Sequence, residues 1–242
     1  GVNNQIDPYY EHTYKVSLNG GVPKLLNKGN FNTMTYPSDN HRYFVNNFSR
    51  VNTAPESHLI NSDGTVIMKL EKADLSALFE SGYQFPETFK AKADDGITDL
   101  YGVIYKPFDF DENKKYPLLE YVYPGPQTES VNKSFSVRMD RLDRMAQLGF
   151  IVITLGNRGG HPDRSKWYHN YGYGNLRDYG LADKKYVAQQ LANRHDYIDI
   201  NRVGIYGHSG GGFMSTAAIL VYPDFFKVAY SQAGNHDNSM YN

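Results

Sequence analysis

Cysteine is absent from the 242 residues and tryptophan occurs once. The first absence excludes disulfides, thiolate metal sites and a cysteine nucleophile, and it suits a reducing or an oxidising compartment equally. A dominant sign of charge is also missing, since 25 Lys and Arg stand against 26 Asp and Glu, a formal net charge of −1. No field of one sign argues for nucleic acid or an anionic membrane surface, so a polyanionic partner is not expected. No run approaches the roughly eighteen apolar residues of a membrane span, and the polar start Gly1-Val2-Asn3-Asn4-Gln5 does not read as a signal peptide. Aromatic residues are abundant instead, with 21 Tyr and 13 Phe, types suited to half-buried strand surfaces. The length admits one large domain or two smaller ones, with a core sufficient for an enzyme.

From Tyr9 to about Leu70 the chain reads as short strands separated by turns, without helical periodicity. Thr13 to Leu18 alternates, Asn19-Gly20-Gly21 supplies the positive φ angles of a tight turn, and Val22 to Leu26 returns. Arg42 to Val45, His58 to Asn61 and, after a Ser62-Asp63-Gly64 turn, Thr65 to Leu70 continue the pattern, which predicts propeller blades or a sandwich. The stretch holds about one and a half blades, too few to close a propeller. A short helix and linker over 71–84 separates this region, residues 1–82, from a second domain over 83–242. There strands alternate with helices: Thr88 to Ala93, Leu100 to Tyr105, Pro117 to Tyr123, a helix from Ser136 to Leu148 closed by Gly149, and a strand from Phe150 to Leu155. A polar loop to Arg177, a helix from Tyr179 to Arg194 and a strand at Phe226 to Ser231 complete an α/β pattern with a mostly parallel sheet.

Gly207-His208-Ser209-Gly210-Gly211 follows the apolar run Arg202 to Tyr206 and precedes a helix-like stretch, Phe213 to Val221. This is the setting of a nucleophile elbow, in which flanking glycines let a strand turn sharply into a helix and present the Ser hydroxyl above the sheet. Ser209 is the candidate nucleophile; the alternative role is to cap the next helix. The backbone N–H of Gly210 is one expected oxyanion donor. Tyr121 and Tyr123, at the carboxyl end of the strand over Pro117 to Tyr123, are candidates for a second.

Tyr123-Pro124-Gly125-Pro126, Asn157-Arg158-Gly159-Gly160, Asp183 and Gly207-His208-Ser209-Gly210-Gly211-Gly212, in that order over residues 85–242, resemble the catalytic domain of the prolyl oligopeptidase family, most of all its dipeptidyl peptidase IV branch. The resemblance implies an α/β-hydrolase fold, incomplete here, preceded by the last strands of a β-propeller that restricts access to small substrates. It makes Ser209 the nucleophile and Tyr123 the hydroxyl partner of the Gly210 N–H, and it matches Tyr241 to a substrate-pocket tyrosine. The branch carries Tyr directly after its nucleophile where Gly210 stands here, which loosens the expected preference for proline. The implied substrates are short peptides, and the implied compartment is periplasmic or secreted.

Triad partners on this fold follow the nucleophile as an acid and then a His. After Ser209 the chain holds Asp224, His236 and Asp237, with the last two adjacent and in reverse order. The triad Asp and His are therefore expected beyond Asn242, so the chain reads as a C-terminally truncated catalytic domain, inactive alone and open to self-association along an exposed sheet edge. His161, Asp163 and His169 lack helical metal-ligand spacing, and Gly210-Gly211-Gly212 is no phosphate loop, so neither metal nor cofactor is expected. His208 diverges from its neighbour Ser209, and Arg158 is expected to orient loops through a carboxylate or to form a structural ion pair. Alternative functions are an esterase or acyl-aminoacyl hydrolase on the same fold, or a non-catalytic binding or assembly module.

Overall fold

The computed structural model describes residues 7–124, 128–136, 141–175 and 178–237. Two compact units emerge, Gly1–Phe85 with Asn132–Val137, and Pro86–Val131 with Arg138–Asn242.

The first unit contains β1 (Tyr14–Lys15), β2 (Lys24–Leu25), β3 (Asn32–Pro37), β4 (Tyr43–Arg50), β5 (Thr53–Asn61), β6 (Val66–Lys72) and a short helix, α1 (Ser76–Glu80). β3 to β6 form a four-stranded antiparallel meander in sequence order. Its β5–β6 turn is set by Asn61, whose Oδ1 accepts from the N–H groups of Asp63 and Thr65, and by Gly64 at φ +86°. The expected hairpin over Thr13 to Leu26 shrinks to the two-residue pair β1–β2, because Val16, Leu18 and Val22 remain exposed and gain little from pairing. β3 is a strand that the hydrophobic pattern does not announce. Its inward positions are polar: Thr33 and Thr35 join Asn27 and Asn46 in a hydrogen-bonded cluster, with Asn27 Nδ2 2.8 Å from Asn46 Oδ1 and 3.0 Å from Thr33 Oγ1. Asn132–Val137 joins this unit through Lys133 Nζ on Asp7 at 2.7 Å, Ser134 Oγ on Asn32 at 2.8 Å and Phe135 N on Ser49 Oγ at 3.1 Å.

The second unit contains β7 (Glu87–Lys92), β8 (Asp99–Tyr105), β9 (Tyr116–Tyr121), α2 (Arg141–Ala146), β10 (Ile151–Leu155), α3 (Lys166–His169), a 3₁₀ turn (Asn170–Gly172), α4 (Leu181–Arg194), β11 (Ile198–His208), α5 (Gly210–Val221) and β12 (Phe226–Gln232). The sheet order is β12-β11-β9-β10-β8-β7; the β7–β8 and β8–β10 pairs are antiparallel and the other three parallel. All five residues of β10 are buried, as expected of a strand covered on both faces. Ile151, Ile153 and Leu155 pack with Leu118 of β9 and Val122 just beyond it, Leu181, Val187 and Leu191 of α4, and Met214 and Ala218 of α5. Each large apolar side chain buried there contributes about 1.5–3 kcal/mol. Of the helix expected over Ser136 to Leu148, the structure shows α2; Ser136 is not helical, and Gln147 and Leu148 already belong to the turn that Gly149 closes in the left-handed region at φ +91°, while residues 137–140 lie outside the described residues.

Candidate active site

β11 runs to His208, α5 starts at Gly210, and Ser209 stands between them at φ 54°, ψ −118°. A non-glycine residue in that region is strained by its own Cβ and persists only where its surroundings impose it. Here the imposition comes from both sides. Ser209 N donates to Gln232 O at the end of β12 (2.8 Å), and Ser209 O accepts from Phe213 N in the first turn of α5 (3.0 Å). The flanking Gly207 and Gly211 both pass the Val122 carbonyl so closely that a Cβ on either would overlap it. The Ser209 side chain makes no capping hydrogen bond to α5, and among the described residues no hydrogen bond engages its hydroxyl. The capping role weighed for Ser209 is therefore not the one its side chain takes up.

Gly210 is the first residue of α5, so its N–H has no intrahelical acceptor and lies at the positive end of the helix dipole. Tyr123 lies two residues beyond β9 and is half-buried; its Cα is 3.4 Å from where a Gly211 Cβ would stand, and Pro124 O is 3.8 Å from the corresponding point on Gly210. The Tyr123-Pro124 segment thus runs beside the elbow. Tyr179 steadies it by donating its hydroxyl to Pro124 O at 3.2 Å, and burial pushes the Tyr179 phenol up to about 12. Tyr121 takes another course. Strand alternation turns it from the face of Glu120 and Val122, its ring centroid lies 5.2 Å from that of Tyr206, and with Met145, Phe150 and Tyr230 it lines an apolar groove of about 550 Å³. Tyr241 lies outside the described residues.

Arg158 finds its carboxylate in Asp183, which is fully buried: Nη2 lies 2.7 Å from Oδ1, Nε 3.1 Å from Oδ1, and Arg158 N donates to Oδ2 at 2.9 Å. Asp94 N also donates to Asp183, the guanidinium reaches Asp95 at 3.2 Å, and it stacks 4.3 Å over the Tyr171 ring. The clamp therefore holds the turn after β10 against the start of α4. Burial alone would raise the Asp95 carboxyl, but Thr98, the Ile97 N–H and the Arg158 charge together hold it down at about 2. Among the histidines, His161 Nδ1 faces Asp163 at 3.5 Å, His169 Nδ1 faces Gly160 O at 2.7 Å, and His236 Nε2 lies 3.3 Å from Ser231 Oγ. Sequence reasoning passed over Glu129. It is buried between β9 and β10, with Oε1 accepting from the Tyr168 hydroxyl at 2.5 Å and from His161 N at 3.2 Å. Its buried setting is fixed by residues tens of positions away, so no local signal marks it.

The strand order, counted from β7, is 1-2-4-3-5-6, and with a strained serine at the sharp turn between the fifth strand and its helix it defines an α/β-hydrolase fold. The sequence model of the prolyl oligopeptidase family matches residues 135–242, and the chain belongs to that family. It is 39% identical to human dipeptidyl peptidase 8 over 152 residues, 62% of this chain and 17% of that protein. It is 30% identical to a probable dipeptidyl-aminopeptidase B of Aspergillus terreus over 220 residues, 86% of this chain and 23% of that protein. A crystal structure of an inferred dipeptidyl aminopeptidase IV from Bacteroides ovatus superposes with a TM-score of 0.71 at 29% identity, covering 84% of this chain and 29% of that one. The chain thus spans less than a quarter of the length of these two curated relatives.

Proposed function

We propose that the protein is a serine-type exopeptidase of the dipeptidyl-peptidase kind, cleaving short peptides through an acyl-enzyme on Ser209. The observation that carries this reading is Ser209 itself, held at a strained φ, with a hydroxyl that no hydrogen bond engages among the described residues, beside the Tyr123-Pro124 segment. Ser209 Oγ attacks the scissile carbonyl carbon and its proton passes to a base. The tetrahedral oxyanion accepts from the Gly210 N–H and the Tyr123 hydroxyl, the amine leaves with a proton, and water then releases the acyl group. Among the described residues no histidine hydrogen-bonds to Ser209, so this chain alone is expected to lack turnover, with the base and its acid supplied elsewhere in the whole protein. At Gly210 the absence of a side chain leaves one wall of the site open, which favours acceptance of residues other than proline before the cut; Tyr241 is the proposed aromatic wall.

In the same reading residues 1–82 are the last part of a β-propeller with its linker, and 83–242 part of the catalytic domain. The meander β3–β6 has the form of a blade, and β6 leaves Val66, Ile67, Met68 and Leu70 exposed, as a blade awaiting a neighbour would. In the isolated chain β12 is the edge strand among the described residues, with Val228 and Tyr230 exposed, which favours pairing with a second copy. Among the described residues no helix is long and apolar enough to cross a membrane. The test of the main reading is labelling of the whole protein by a fluorophosphonate probe: wild type is expected to react at Ser209 and Ser209→Ala not to react. Equal labelling of both would refute the assignment.

A further inference from the structure

Loops run over protein surfaces and acids are almost never buried without partners, yet Glu129, in the loop after β9, is only 6% exposed. The groups that enclose it all come from the stretch that follows β10. Its Oε1 accepts from the Tyr168 hydroxyl at 2.5 Å and from His161 N at 3.2 Å. Gly156 and Gly160 lie so close that a Cβ on either would overlap the carboxyl group. Neither glycine adopts a left-handed φ, so room for Glu129, rather than backbone conformation, accounts for the missing side chains. Tyr168 is a firm mount: it is buried, its O accepts from Gly159 N at 2.7 Å, and its N donates to Ser165 Oγ at 3.1 Å. The Arg164 guanidinium lies 4.5 Å over its ring and donates to Asp99 O of β8 at 2.9 Å. The residue after Glu129, Ser130, stands at φ 49°, where its own Cβ strains the backbone. Ser130 N donates to Thr128 Oγ1 and Ser130 O accepts from Thr154 Oγ1 of β10, both at 3.2 Å. Strain of this kind persists only where the surroundings impose it.

A second hold lies at the start of the same loop. Tyr179 donates to Pro124 O at 3.2 Å, and its ring fills the space that a side chain on Gly159 or Gly172 would need. Both holds therefore belong to the stretch from Gly156 to Tyr179, one next to Tyr123 and the other six residues beyond it, while 125–127 lie outside the described residues. We propose that Glu129 is a positioning residue: through the Tyr168 hydroxyl and the His161 N–H it fixes the far end of the loop that begins at Tyr123, and so sets where the Tyr123 hydroxyl stands relative to Ser209 and the Gly210 N–H. The inference rests on the reading of Tyr123 as an oxyanion donor. A donor on a held loop needs no reorganisation as charge develops on the substrate, which is when its placement counts most. Glutamine can preserve the hold, with its oxygen in the place of Oε1 and its nitrogen in that of Oε2, which has no hydrogen-bond partner among the described residues. Leucine keeps much of the volume but removes the acceptor that Tyr168 and His161 N share.

The test is a double-mutant cycle in the whole protein, read by turnover of a dipeptidyl nitroanilide. Glu129→Leu is expected to lower kcat roughly tenfold or more with KM changed by less than about twofold, and Glu129→Gln to stay within about threefold of wild type. In a Tyr123→Phe background the group being placed is gone, so adding Glu129→Leu is expected to lower kcat by less than about twofold further. A residue that only supports the fold would cost the same factor in both backgrounds. That result overturns the proposal, as does wild-type kcat in Glu129→Leu. Should Glu129→Leu not fold, Tyr168→Phe takes its place, removing one donor and leaving the other, with an expected loss of roughly threefold or more that again disappears in Tyr123→Phe. Amide exchange over residues 121–131, followed by mass spectrometry, reads the loop without turnover. It is expected to quicken roughly tenfold or more in Glu129→Leu, roughly threefold or more in Tyr168→Phe, and to match wild type in Glu129→Gln. Unchanged exchange in the disrupting variants overturns the hold whatever the kinetics. Absence of turnover by wild type, or wild-type kcat in Tyr123→Phe, counts against the proposed function instead, and exchange then decides whether Glu129 holds the loop.

Discussion

Gly210 and Gly211 are neighbours of one residue type at the start of one helix, yet alanine should act on them in opposite directions. A Cβ on Gly210 meets nothing nearer than Pro124 O at 3.8 Å, an ordinary contact, and its φ is not in the left-handed region. Alanine there reduces the freedom of the unfolded chain and should stabilise by about 0.5–1 kcal/mol, less if the first helical position responds weakly. A Cβ on Gly211 overlaps the Val122 carbonyl oxygen. That oxygen cannot withdraw, because Val122 N is bonded to Tyr206 O at 2.9 Å and Val122 is buried between strands. The helix or strand must shift instead, an overpacking cost of about 1–3 kcal/mol. Since both alanines gain from restricting the unfolded chain, the two variants should differ by about the overpacking cost, 1–3 kcal/mol, and at about 2–4 °C per kcal/mol for a domain of this size their thermal midpoints should differ by roughly 2–12 °C. Circular dichroism melts and urea titrations of both variants beside wild type measure the difference. Equal midpoints for Gly210→Ala and Gly211→Ala would refute the argument that the Val122 carbonyl, rather than generic helix propensity, selects glycine at the elbow.

Tyr123→Phe in the whole protein should lower kcat by roughly 10²- to 10³-fold with little change in KM, as for loss of one oxyanion donor; wild-type kcat would assign Tyr123 to packing alone. Arg158→Met leaves Asp183 buried without its cation and should cost about 3–5 kcal/mol in urea unfolding, with Arg158→Lys recovering only part because a point charge cannot make the forked contact; a loss below about 1 kcal/mol would show the clamp to be dispensable. Asp95 titrates in the folded state at about 2, below its ordinary 3.8, so its stabilising contribution is present above pH 3.8 and lost as pH falls through 2. Asp95→Asn should therefore flatten the acid limb of the stability curve between those values, and an unchanged limb would contradict the pairing.

The elbow was legible in the sequence because its determinants are local. A strand, two glycines flanking Ser209 and a helix-forming run follow one another within about twenty residues, and the backbone conformation they require depends on Cβ sterics that each residue carries with it. The same holds for the alternation of β7 to β12 with α2, α4 and α5, which was read from hydrophobic pattern and turn residues, and for the Asn61–Gly64 turn; α3 falls in the stretch read as a polar loop, where Ser165 caps it by accepting from Tyr168 N. β3 escaped that reading because Thr33 and Thr35 satisfy a polar cluster with Asn27 and Asn46, and hydrophobic periodicity is blind to a core closed by hydrogen bonds. Which tyrosine lies beside Ser209 was likewise open, since Tyr121 and Tyr123 are both near the end of the same strand; the path of the chain past β9 carries Tyr123 to the elbow and leaves Tyr121 on Tyr206. That Glu120 on β9 and Lys184 on α4 are both buried is likewise a product of packing between distant segments, which no local signal in the sequence announces. Sequence determines what each segment can become through interactions within a turn or a strand. Tertiary structure decides which distant groups share a dry interior, where a missing partner costs most and a carboxyl can hold its proton to about pH 8.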